Sequence, residues 1–170
     1  MEVLVLKDFY TVFSTVCFTL LGLWLIVVQT RHSEWRQSSL HRRRAYGVSL
    51  FFALPGLMGL LSLVDARSTD MWRASFGIVA LGGVLVLLVV RGPAPTRLGL
   101  AAYVAALVAY ALIAFVAIAP GTLDDLGIDA RPLRVEAVLL TVLVFIGVNV
   151  AWLLLFEETA FPTQGRVPPA

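Results

Sequence analysis

The stretch FYTVFSTVCFTLLGLWLIVVQTRHSEWRQSSLHRRR, residues 9–44, decides how the rest of the chain is threaded. Its first 22 residues, Phe9 to Thr30, carry no charge. A helix crosses a bilayer in about 20 residues, so this run is long enough to span one. Five arginines follow it: Arg31, Arg36, Arg42, Arg43 and Arg44. Basic residues beside a spanning helix stay on the cytoplasmic side, which orients that helix and every later one.

Composition agrees. Only 14% of residues are charged and 59% are hydrophobic, whereas about 25% of an average soluble domain is charged. So few charges cannot cover a water-facing surface. The expectation is an all-α integral membrane protein: one transmembrane bundle over residues 1–160 and a flexible cytoplasmic tail over 161–170, a segment with three prolines and no periodicity. Arginine outnumbers lysine twelve to one amid abundant Ala, Val, Leu and Gly. That usage points to a bacterium with a GC-rich genome, and so to its plasma (inner) membrane. The N-terminus lacks the basic region of a cleavable signal peptide, so the first span is expected to stay in the mature protein. A single cysteine, Cys17, excludes an intramolecular disulfide.

Five spans are expected, at about 9–30, 46–64, 71–90, 98–119 and 135–156. Lipid offers the backbone no hydrogen-bond partners, and nothing alternates as barrel strands would, so each span is helical. Five spans put Lys7, Arg67, Arg73, Arg131 and Arg134 on one side with eight acids. The other side has eight arginines and three acids. The expected orientation is therefore N-terminus outside and C-terminus cytoplasmic.

Three groups of residues are candidates for function. Arg36, Arg42, Arg43 and Arg44 form a juxtamembrane cluster. Their expected partners are anionic phospholipid headgroups at the cytoplasmic face, each charge adding about 1 kcal/mol. The same arginines suffice to set topology, the plainer reading, and nucleic acid is not an expected partner because the positive charge is tied to the membrane plane.

The second group is a layer near mid-membrane: Thr15, Thr19, Tyr110 and Asn149, with Pro55-Gly56 and Gly82-Gly83 as positions where a helix could break. Thr11, Thr15 and Thr19 recur at helical spacing, and Tyr103 and Tyr110 share a helix face. Such a layer would suit the path of a small solute or ion. Ordinary packing through small and hydroxyl-bearing residues accounts for it more simply, and no charged residue stands at the centre of a span.

The third group is acidic. Glu136 lies one turn inside the fifth span near Arg131 and Arg134, which favours an interfacial ion pair over a gate or proton acceptor. Asp124, Asp125 and Asp129 lack the spacing of a known cation loop. Glu157 and Glu158 are placed to pair with the first-loop arginines.

The two histidines, His32 and His41, both lie outside the spans, which excludes a haem held between histidines inside the bundle. No HExxH, GxSxG or phosphate-cradling glycine loop occurs, and no cofactor is expected. The function read from the sequence is a non-enzymatic membrane protein: an accessory or scaffolding subunit that meets itself or another membrane protein through small-residue helix faces. The alternative is a small oligomeric channel or transporter that uses the midplane layer.

Overall fold

A computed structural model describes residues 2–35, 38–64, 69–90, 97–125, 127 and 131–156, and among them all regular structure is helical. Five long helices, α1 (Glu2–Thr30), α3 (Ser39–Val64), α4 (Thr69–Val90), α5 (Arg97–Ile118) and α7 (Pro132–Leu155), are joined in part by two short ones, α2 (His32–Trp35) and α6 (Thr122–Asp125). All five are long and apolar enough to cross a membrane. This is the architecture of a multi-pass helical membrane protein.

The second long helix, α3, starts seven residues before the expected span and takes Arg42, Arg43 and Arg44 into its first turns. The cause is local. Ser38 Oγ accepts the backbone N–H of His41 at 3.4 Å and lies 2.9 Å from its Nδ1, capping the first turn. Arginine is a good helix former once a turn is nucleated. What the sequence suggests is a long polar loop is therefore helical in part, at His32–Trp35 and from Ser39 onward. Trp24 Nε1 donates to the Ala45 carbonyl at 3.1 Å. Trp35 is buried beside it, its ring centroid 5.9 Å from that of Trp24 and 6.4 Å from the His41 ring. Trp24→Phe removes the one hydrogen bond and keeps most of the ring. It is expected to cost about 1 kcal/mol, read as a lower unfolding temperature in detergent.

The helix α3 packs against α1, α4 and α7, and α5 bridges α4 and α7. Lipid tails are as apolar as the side chains, so close van der Waals packing has to hold such helices together. Glycine makes that contact possible at three of the interfaces, α1–α3, α4–α5 and α3–α7. A Cβ at Gly56 would meet Cys17 Cβ at 3.0 Å, and one at Gly59 would collide with Ser14 Oγ, so these two positions set the approach of α1 to α3. Gly83 lies under the ring of Tyr110 between α4 and α5, and Gly147 lies against Phe51 between α3 and α7. The outer surface is apolar, with Ile78, Leu85, Phe145 and Trp152 among its exposed side chains.

Neither expected break occurs. α3 runs unbroken through Pro55-Gly56 and α4 through Gly82-Gly83. Packing explains it: Pro55, Gly56 and Gly83 are buried in helix contacts, which hold the helical path. Gly82, on the other side of α4, has nothing within 4 Å of a would-be Cβ.

Candidate functional site

The midplane residues do not converge inside one chain. Tyr110 is buried, but Thr15, Thr19 and Asn149 are exposed on the outside of the bundle. The threonines have satisfied themselves locally: Thr11, Thr15 and Thr19 each donate to the carbonyl four residues earlier, at 2.9, 2.9 and 2.8 Å. A hydroxyl bonded in this way is cheap to leave facing lipid. Asn149 is different. Its Nδ2 donates to the Phe145 carbonyl at 2.8 Å, but a primary amide has a second N–H and an acceptor oxygen. Asn149 lies between five and six residues past the middle of α7, about 8 Å along the axis, still within the apolar slab.

Tyr103 and Tyr110 do share a face, the one that meets α4. Tyr103 OH reaches the Leu87 carbonyl at 3.4 Å. One turn away on α4, Gly83 gives the Tyr110 ring its seat. The Tyr110 hydroxyl is buried with no hydrogen-bond partner among the described residues.

The arginine cluster splits. Arg42 and Arg43 are exposed and Arg44 is half-buried, all at the start of α3, while Arg36 lies outside the described residues. So do Asp129, Glu157 and Glu158. Asp124 and Asp125 fall in α6. No group of three His, Cys, Asp or Glu side chains placed to hold a metal exists among the described residues.

The residue whose place departs furthest from its sequence reading is Glu136. It is fully buried, at 0% exposure, and neither carboxyl oxygen has a hydrogen-bond partner among the described residues. Position along the chain explains the misreading: one turn inside the span suggests a headgroup-level ion pair, but α7 turns this side chain into the bundle. Arg131 and Arg134 sit on the exposed side of α7. On the helices at this end of the bundle are buried residues the sequence did not single out. Tyr10 on α1 is buried and donates its hydroxyl to the Leu133 carbonyl at 2.9 Å, one turn before Glu136. Ser14, one turn along α1 from Tyr10, is buried with an unpartnered Oγ. Phe76 from α4 closes the apolar side, edge-on to Tyr10 at 6.2 Å.

A signal for this face was present. Tyr10, Ser14, Cys17 and Trp24 fall at helical spacing and are all buried, on the side of α1 opposite the threonines. The threonine repeat was more regular and drew attention outward.

No protein-family model matches the sequence, no curated protein matches it, and no solved structure matches its fold.

Proposed function

We propose that this chain is a non-enzymatic subunit of a membrane assembly, meeting a second copy of itself or another membrane protein along the outer face of α7. The observation that supports this is Asn149: an exposed primary amide about 7 Å inside the apolar slab, with only one of its polar groups bonded among the described residues. Unpaired amide groups are costly in hydrocarbon, and a neighbouring helix is the usual way to satisfy them, for about 0.6 to 2 kcal/mol. The glycines support the reading indirectly. Those at Gly56, Gly59, Gly83 and Gly147 are used within the chain, so a small-residue contact with a partner falls to others, such as Gly22 and Gly82, where nothing lies within 4 Å of a would-be Cβ.

The setting we propose is the plasma membrane of a bacterium, with the N-terminus outside and residues 161–170 as a cytoplasmic tail. Arg42 and Arg43, exposed at the start of α3, then lie at the anionic cytoplasmic surface and hold headgroups there. A C-terminal reporter should be active only in its cytoplasmic form. Activity of a periplasmic reporter at that end would reverse the orientation.

Asn149→Leu tests the assembly. In bilayers, single-molecule bleaching of labelled chains should show more than one chain per spot for the wild type. The variant should associate about 3- to 30-fold more weakly, the equivalent of one interhelical hydrogen bond. A wild type that is monomeric and co-purifies with no partner, or a variant that assembles equally well, would rule the reading out. The channel alternative would need the Thr15, Thr19 and Asn149 faces to meet between copies, and solute flux across vesicles would report it.

A further inference from the structure

The outer face of α7 carries a regular stripe. Val138, Val142, Phe145, Asn149 and Trp152 are all exposed. Phe156, one residue past the helix, continues the series, its ring centroid 4.9 Å from that of Trp152. The steps along the stripe are four, three, four, three and four residues, a repeat of seven. Leu140, Leu143, Gly147 and Leu154 are buried instead, on the side of α7 that the chain uses internally. A stripe that repeats every seven residues winds two helices around each other with a left-handed twist, each side chain entering a hole between residues of the other helix.

Asn149 is the chain's sole asparagine and the one polar member of the stripe. In the seven-residue pattern it shares its register position with Val142 and Phe156, the position at which a single asparagine fixes alignment and the number of chains. Copies of one chain are threaded the same way round, since the same arginines orient each of them. Their α7 helices therefore run parallel, with residue 149 at one depth in both. A two-fold axis along the membrane normal then sets the residue against its own counterpart. The amide is complementary in charge to itself: a free N–H carries partial positive charge and Oδ1 partial negative charge, and each can face the other. A second copy supplies that match by construction. The other exposed faces offer nothing equivalent. The α1 threonines are bonded to their own helix, and Ile78, Leu85, Val104 and Val108 on α4 and α5 are apolar.

We propose that the partner at this face is a second copy of the chain, in a parallel two-fold dimer in which α7 packs on α7 and the two Asn149 amides hydrogen-bond to each other. The inference rests on the reading above that assembly uses the outer face of α7, and it names both the partner and the contact. Phe145 and Trp152, one turn to either side of Asn149, flank the amide pair and keep lipid away from it.

Two measurements on the full chain in lipid bilayers test it. A disulfide needs Cα atoms within about 7 Å, so Val142→Cys and Phe145→Cys should each give a cross-linked dimer on mild oxidation. Leu85→Cys, exposed on α4, should not, and neither should wild type, whose Cys17 is buried. The second measurement mixes wild type with Asn149→Leu, labelled in two colours and counted by bleaching. An amide that pairs with its own counterpart loses the whole contact in the mixed pair. That pair should therefore be as weak as two variant copies, about 3- to 30-fold below wild type. A mixed pair of intermediate strength, cross-linking absent from both stripe positions, or three or more copies per spot would overturn the dimer. A single copy held along α7 by a different protein would also overturn it and leave the broader reading standing. A wild-type chain that is alone in the bilayer, with no partner of any kind, would remove both.

Discussion

Gly147→Leu is expected to separate α3 from α7 and leave little folded protein in the membrane. A Cβ at position 147 would sit 2.6 Å from the Cβ of Phe51 and 3.2 Å from the ring of Phe52. The first of these atoms is the decisive one. A Cβ is fixed to its own backbone and cannot swing aside as a side-chain tip can, so relief requires the helices themselves to move. Extra methylenes in a packed core cost about 1 to 3 kcal/mol even where neighbours adjust. A total folding stability is only about 5 to 15 kcal/mol. Gly147→Ala should lower the unfolding temperature measurably, and Gly147→Leu should abolish the monodisperse peak on gel filtration. Gly82→Leu is the matched control, because nothing lies within 4 Å of a Cβ there, and it should behave as wild type. A Gly147→Leu protein as stable as that control would refute the α3–α7 contact.

The second large effect is a compensating pair between α4 and α5. Tyr110 is 2% exposed, and its ring atoms stand 2.7 to 2.9 Å from where a Cβ on Gly83 would be. Tyr110→Ala empties that space and should cost about 3 to 5 kcal/mol, as for other large aromatic truncations. Gly83→Leu alone drives a side chain into the ring and should be comparably harmful. The double variant puts the new leucine into the space the tyrosine left. It should lose less than the sum of the two single losses, with a coupling of about 1 to 3 kcal/mol, since contacting residues do not add. Thermal unfolding of all four proteins in one detergent completes the cycle. Additive losses would mean that the ring does not occupy the Gly83 seat.

The membrane-crossing segments were legible because length and the absence of charge are properties of the chain alone. The last expected span, 135–156, and the observed α7 at Pro132–Leu155 differ by three residues at one end and one at the other. Rotation about each helix axis was not legible. Nearly every position in these spans is apolar, so the pattern that normally separates inside from outside is weak, and polar residues become the main clue to facing. For Thr15 and Thr19 that clue misleads, because a hydroxyl can bond its own helix and needs no interior. A carboxyl has no such local remedy. Glu136 therefore marks the interior more firmly than the threonines, but its depth near the end of a span made a headgroup position look equally good. The early start of α3 was missed for a different reason. Arginine reads as loop when the frame is hydropathy, and the Ser38 cap that winds those arginines into helix is a local hydrogen-bond signal.

Arg73 bears on how the chain is put together during synthesis. Its guanidinium grips the last two carbonyls of α5, at Ala117 and Ile118, where a cation also meets the negative end of the helix dipole. Those carbonyls come 44 and 45 residues later in the chain than Arg73. When α4 first leaves the ribosome its arginine does not yet have these two acceptors. The arrival of α5 supplies the missing acceptors. Entry of α4 and α5 into the lipid as a pair would give Arg73 its acceptors at once.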